Sequence, residues 1–209
     1  MLIRIIRALY GKFKTYKSGG TYDYEYVLRM KRLIEHGLKL GKNVTIETGV
    51  FIDGGYPYLI SIGDNCSLAN GVRLLAHDDS PYKFTDDYAR LGKIEIRENC
   101  FIGENCIILP GVTIGPNVLL AAGSVVNKDI PPNSCVAGVP ARFYAKFDEF
   151  IAHQKQKVKG RPIFKYSDLR GGNCNKELRN KVMEAAKNDI CYVQGKEGSK
   201  YSYIIWNKE

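Results

Sequence analysis

Leu40-Gly-Lys-Asn-Val-Thr-Ile46-Glu-Thr-Gly-Val-Phe-Ile52 opens a pattern that returns as Ile62-Gly-Asp-Asn-Cys-Ser-Leu68-Ala-Asn-Gly-Val-Arg-Leu74, and again from Ile96 through Ile102, Ile108, Ile114 and Leu120 to Val126. An aliphatic residue at every sixth position fits neither a helical period near 3.6 nor a strand period of 2. A fixed short period marks a solenoid, in which each unit buries its apolar face only against the next. Each hexad then supplies one short strand and one turn. Four positions after the aliphatic residue comes a small or β-branched one, such as Val44, Cys66, Cys100, Val112 or Ser124. Corner pieces such as Gly63-Asp64-Asn65, Gly103-Glu104-Asn105, Pro110-Gly111 and Pro116-Asn117 suit tight or left-handed backbone.

The repeat, together with Ile108-Leu-Pro-Gly-Val-Thr-Ile-Gly-Pro-Asn-Val, Ala121-Ala-Gly-Ser-Val-Val-Asn-Lys-Asp-Ile-Pro-Pro-Asn and Ala137-Gly-Val-Pro-Ala-Arg142, resembles the hexapeptide-repeat acyltransferases, in particular the maltose- and galactoside-type O-acetyltransferases. The resemblance covers about half of the chain. It implies a mostly β fold, a triangular left-handed parallel β-helix with three hexads per coil. The expected organisation is an N-terminal helical cap over 1–39, the β-helix over 40–142 and a small α/β appendage over 143–209.

The net charge of +9, from 31 Lys and Arg against 22 Asp and Glu, marks a surface that attracts anions. Nucleic acid is not the expected partner, because the basic residues gather in the flanks without a nucleic-acid motif or aromatic ladder. A phosphate-bearing cofactor or an anionic membrane accounts for the charge equally well. No apolar run approaches the roughly 18 residues of a membrane span, and the expected location is cytoplasmic. Cys66, Cys100 and Cys106 fall on the small inward position of the repeat, where a thiol acts as a compact hydrophobe. Cys135, Cys174 and Cys191 have no metal-like spacing, and no metal site is expected.

Ahead of the repeat, residues 1–16 alternate apolar and basic side chains at helical spacing, which fits either a helix docked on the solenoid or one lying peripherally on an anionic membrane. Residues 23–35 read as a helix capping the solenoid, with Gly37 as its stop. Two interruptions break the period: four extra residues around Gly54-Gly55-Tyr56-Pro57, and a long excursion between Leu74 and Ile96. Loops leaving a rigid repeat usually carry function. Beyond Arg142, helices are expected near 147–157 and 175–188. Strands at 190–194 and 201–206 are expected to form a hairpin across a Gly-Lys-Glu-Gly turn.

Acyl transfer to a hydroxyl or amine needs a base to take the acceptor proton, and imidazole suits this near neutral pH. Of three histidines, only His77 lies in the solenoid, at the root of the long excursion. Leu74-Leu-Ala-His77 resembles the segment bearing the family's catalytic base. Counting one coil back from Leu74 lands on Ile52, which makes Asp53 a candidate to orient His77, with Asp78 and Asp79 as local alternatives. The family resemblance further implies acetyl-CoA as donor, with Glu104 and Ala122 along its pantetheine arm, Asn127 and Lys128 near its phosphates, and Arg142 as the terminal arginine. Phe101 and Glu47 are implied on the acceptor side. The implied assembly is a homotrimer with active sites between subunits, and the implied acceptor is a carbohydrate hydroxyl, as in surface-polysaccharide synthesis. N-acetylation of an amino sugar or nucleotide sugar is the neighbouring reading, and a non-catalytic β-helix scaffold the reading from another class. A carbonic anhydrase of similar fold is excluded, because three zinc-binding histidines are needed and the solenoid holds one.

Overall fold

The computed structural model describes residues 24–169, 174–195 and 204–206, which fall into two compact units: 24–148 with 204–206, and 149–169 with 174–195. The first unit contains three sheets built from parallel strands. One holds β1 (Lys39–Leu40), β4 (Ile60–Ile62), β9 (Ile94–Ile96) and β12 (Thr113–Ile114). The second holds β2 (Val44–Ile46), β5 (Ser67–Leu68), β10 (Phe101–Ile102), β13 (Val118–Leu120) and β15 (Ser134–Ala137). The third holds β3 (Phe51–Ile52), β6 (Arg73–Leu74), β11 (Ile107–Ile108) and β14 (Val125–Val126). From β1 to β14, the β7–β8 excursion set aside, the chain visits the three sheets in turn, so every third strand pairs in parallel with its predecessor. The hexads of the sequence are the sides of this coil.

The register stacks like on like. Ile46, Leu68, Ile102 and Leu120 form one inward column, and Ile52, Leu74, Ile108 and Val126 another. All eight are buried, each worth about 1.5–3 kcal/mol of transfer free energy. The small residues at the next inward position fill the corners. Cys66, Cys100 and Cys106 are free, buried thiols that donate to the carbonyl oxygens of Arg97, Gly115 and Ala121 at 2.9, 3.1 and 3.0 Å.

Corners recur three residues after the aliphatic position. Asn43, Asn65, Asn99, Asn105, Asn117 and Asn133 all stand there with φ between 54° and 57°. Asparagine tolerates this left-handed region where most L-residues lose about 1–2 kcal/mol. At one corner the amides also bond from coil to coil, Asn43 to Asn65 at 3.1 Å and Asn99 to Asn117 at 3.3 Å.

Helix α1 (Tyr24–Glu35) closes the first coil. Tyr26, Met30 and Leu33, at helical spacing, are buried against the core. The first coil has no coil beneath it to bond its carbonyls. Tyr26 Oη donates to Ile46 O at 3.2 Å and Arg29 Nη2 to Ile52 O at 3.4 Å, satisfying two of them. At the other end β16 (Arg142–Lys146) turns back antiparallel on β15.

Both interruptions leave from the corner that follows the third sheet. The shorter carries a 3₁₀ turn, Pro57–Leu59. The longer begins with β7 (His77–Asp78), pairs antiparallel with β8 (Arg90–Leu91), and closes where Gly92 N donates to Ala76 O at 2.9 Å.

Beyond β16, α2 (Phe147–Val158) leads into the second unit, which also contains β17 (Ile163–Lys165), α3 (Tyr166–Leu169), α4 (Lys176–Asn188) and β18 (Tyr192–Gln194). Asn175 caps α4 by accepting from Leu178 N at 2.8 Å. The hairpin expected from the sequence does not form. β18 pairs in parallel with β17, and β19 (Ile204–Trp206) pairs antiparallel with β2. The glycine-bounded turn allowed a hairpin, but β17 and β2 each present a free strand edge, and long-range pairing to those edges prevails over the local turn. The amphipathic segment 1–16 lies outside the described residues. No helix among the described residues is long and apolar enough to cross a membrane.

Candidate active site

Ile52 and Leu74 are cross-strand partners, so the residues after them leave the third sheet side by side. Asp53 N donates to Leu74 O at 3.0 Å, and the Asp53 side chain turns inward until only 2% of the residue is exposed. A buried carboxylate needs donors. Oδ1 accepts from Gly55 N at 3.0 Å, and Oδ2 accepts from Ala76 N at 3.0 Å and from His77 Nδ1. The glycine-rich insertion thus supplies one donor and the root of the long loop supplies two.

With Nδ1 donating to Asp53, the neutral imidazole leaves its Nε2 lone pair free, the arrangement a general base requires. Roughly a third of the His77 side chain is exposed, so the ring is fixed at one nitrogen and accessible at the other. Tyr56 flanks it, its ring centre 5.4 Å from the imidazole and tilted by 55°. Asp79 Oδ2 stands 3.6 Å from Nε2. Asp78 instead accepts from Ser80 N at 3.0 Å and meets Arg90 at 3.6 Å; the Ser80 side chain foremost, then Ser80 N and the Arg90 charge, hold its carboxyl below the usual range. It ties β7 to β8 and does not bond to the imidazole.

The hydrogen bond to Asp53 raises the His77 pKa above its ordinary value, outweighing the opposing effect of burial, and the charges of Asp53, Asp79 and Asp78 each add a smaller upward push. The folded pKa is therefore higher than the unfolded one. Stability from this pairing is fully present below the unfolded imidazole value near 6.5 and is lost as pH rises through the raised folded value. A reaction that needs neutral His77 should accordingly show an acidic limb centred above pH 6.5. Asp53→Asn should move that limb downward while lowering the rate. Measuring the pH–rate profile of both proteins checks this, and an unmoved limb would remove Asp53 from control of the imidazole.

The other expected site residues lie on two corners and one face. Asn127 and Lys128 follow β14 on the same corner as Asp53 and His77, two coils from His77, or about 10 Å at the usual strand spacing. Glu104 and Ala122 share the corner between the second and third sheets, where Gly123 N donates to Glu104 O at 2.7 Å. The two corners border the outer face of the third sheet. Arg142 is exposed at the start of β16, its Nη1 donating to Ala141 O at 2.9 Å. Phe101 is 48% exposed on the outer face of the second sheet, between Ser67 and Leu119. Glu47 follows β2, and no hydrogen bond joins its side chain to His77 among the described residues. Tyr56 and the donors Gly55 N and Ala76 N went unrecognised in the sequence. The four-residue insertion that places the first two was the available signal. No group of three or more His, Cys, Asp or Glu side chains among the described residues could hold a metal ion.

Residues 93–128 match the family described as bacterial transferase hexapeptide (six repeats), and residues 60–76 the hexapeptide repeat of succinyl-transferase. A Staphylococcus aureus (strain Mu50) protein, provisionally named an acetyltransferase, is 41% identical over 111 residues, 53% of this chain; the match spans just over half, 56%, of that relative's length. Galactoside O-acetyltransferase from Escherichia coli (strain K12) is 30% identical over 175 residues, covering 70% of this chain and 82% of that protein. Among solved structures, a maltose O-acetyltransferase from Clostridium difficile 630 aligns with a TM-score of 0.49 at 29% identity, over 69% of this chain and 83% of that one. With the hexads forming coiled parallel strands and the galactoside O-acetyltransferase matched over most of its length, the chain belongs to the hexapeptide-repeat acyltransferase family, on its galactoside-O-acetyltransferase-like side.

Proposed function

We propose that the protein moves an acetyl group from acetyl-CoA to a hydroxyl of a sugar or surface-polysaccharide precursor, with His77 as general base and Asp53 as its positioning residue. The observation that carries this reading is the Asp53–His77 pair, a buried carboxylate holding Nδ1 while Nε2 remains accessible. The acyl donor supplies a thioester carbonyl. Nε2 takes the acceptor hydroxyl proton as its oxygen bonds to that carbon, and the C–S bond breaks. The imidazolium then returns the proton to the departing thiolate, so the histidine ends as it began.

Residues suited to the donor are present. Lys128 and Arg142 are exposed, and neither meets a carboxylate among the described residues, leaving both charges available for phosphates. Corner backbone at Glu104 and Ala122 offers amides and carbonyls to a pantetheine arm. Calorimetry should show weaker acetyl-CoA affinity for the Lys128→Ala, Arg142→Ala double variant, with a smaller change in turnover at saturating donor. Unchanged affinity would move the donor elsewhere. The function itself is tested with labelled acetyl-CoA and a panel of sugars, nucleotide sugars and lipid-linked oligosaccharides. Absence of transfer to every acceptor by folded protein would sink it.

We read the coil as left-handed and the chain as three parts, 1–39, 40–142 and 143–209, working in the cytoplasm. Tyr82, Phe84, Tyr88 and Leu91, all exposed on the long loop, support a homotrimer in which this loop packs on a neighbouring copy and sites lie between subunits. Light scattering that found an active monomer would end the shared-site reading.

A further inference from the structure

Phe51 and Arg73 are cross-strand partners on the outward side of the third sheet, and the Arg73 guanidinium lies 4.6 Å from the Phe51 ring centre. Arg29, from α1, reaches the same ring at 5.4 Å while donating to Ile52 O. Neither arginine has a carboxylate within 4.0 Å among the described residues. Two guanidiniums drawn to one phenyl ring repel each other, and an exposed cation–π contact returns only about 0.5–1 kcal/mol. Among the described residues the pair lacks a paired counter-charge. Arg29 also borders a cleft of about 530 Å³, shared with Glu25, Tyr26, Leu28, Arg32 and Thr48, in which Glu25 is, among the described residues, the one acidic lining residue against two arginines.

The position of this pair matters. Phe51 lies two residues before Asp53 and Arg73 four before His77, so at most about 14 Å of chain separates Arg73 from the base. Lys128 and Arg142, read above as meeting the donor's phosphates, lie two or more coils further along. The arginine pair is on the acceptor side of His77.

We propose that Arg29 and Arg73 form an anion subsite for the acceptor, which is a sugar carrying a carboxylate or phosphate held by both guanidiniums while one of its hydroxyls meets His77 Nε2. The planar guanidinium fork matches either anion with paired hydrogen bonds. This deepens the acetyl-transfer reading and rests on it.

Calorimetric titration of the full chain with galactose, galacturonic acid and galactose 6-phosphate tests the subsite without relying on turnover, and separates carboxylate from phosphate. At least one charged sugar should bind about tenfold or more tightly than galactose, and the Arg29→Gln, Arg73→Gln double variant should lose that preference while keeping its acetyl-CoA affinity. Equal binding of all three sugars overturns the proposal. So does a loss that falls on acetyl-CoA instead, which would give the arginines to the donor, or a changed oligomeric state with sugar affinity intact, which would give them to a neighbouring copy's carboxylate. Arginine-dependent binding of charged sugars by a protein that transfers no acetyl group supports the subsite and sinks the transferase. Transfer to neutral and charged sugars alike does the reverse.

Discussion

Replacing His77 by alanine is expected to slow acetyl transfer by a factor of roughly 100 to 10,000, the usual contribution of a positioned general base. The fold should survive. His77 leaves the coil at the start of an excursion and is partly exposed, and none of the inward columns includes it. Asp53 would keep Gly55 N and Ala76 N as donors, so its buried carboxylate would not be stranded. Steady-state rates with labelled acetyl-CoA, beside a thermal melt, give the answer. Near wild-type transfer by a folded variant would falsify the assignment of His77 as base.

A large stability effect is expected at Gly103. A Cβ built there would lie 2.6 Å from Ala122 N and 2.7 Å from Leu120 O, both backbone atoms of the next coil. Those atoms cannot retreat without opening the hydrogen bond from Gly103 N to Leu120 O, 2.9 Å long, which joins the coils. Gly103→Ala should therefore cost about 3 kcal/mol or more, at the upper end of overpacking effects. Gly111 is the contrasting corner: a Cβ there meets nothing within 4 Å, although its φ of +85° lies beyond the 54–57° that asparagine takes at six other corners. Gly111→Asn should therefore cost only the strain of that backbone, on the order of 1 kcal/mol, and less than Gly103→Ala. Denaturant midpoints for the two variants decide the matter, and equal midpoints would show that close approach between coils is not what selects glycine at position 103.

Most of the coil was legible because its cause is local and repeated. Ile46, Leu68, Ile102 and Leu120 stack in one column since each hexad solves the same packing problem, and the sequence displays that solution repeatedly. Asp53 and His77 were brought together by counting one coil, because coil spacing survives a four-residue insertion when the insertion is confined to a corner. What was not legible depends on contacts the period does not encode. The placement of Tyr56 beside His77 follows from how the insertion folds, and the insertion occurs once. The choice between a hairpin and two separate edges for residues 192–194 and 204–206 was equally hidden, since a glycine-bounded turn permits either. Phe51 with Arg29 and Arg73 escaped notice because one partner comes from a helix outside the repeat.

The second sheet carries an antiparallel strand at each end, β19 on β2 and β16 on β15, whereas every pair between them is parallel. A coil built from identical steps has no inherent last step: its top rung offers the same row of donors and acceptors that its bottom rung lacks. Two such molecules could stack head to tail and continue the sheet from one into the other, a heterologous contact that never closes and so grows into a fibre. A strand of reversed direction breaks the polarity of that row, and the next molecule finds no parallel partner in register. The two terminal strands thus limit the length of a structure whose repeating part specifies none.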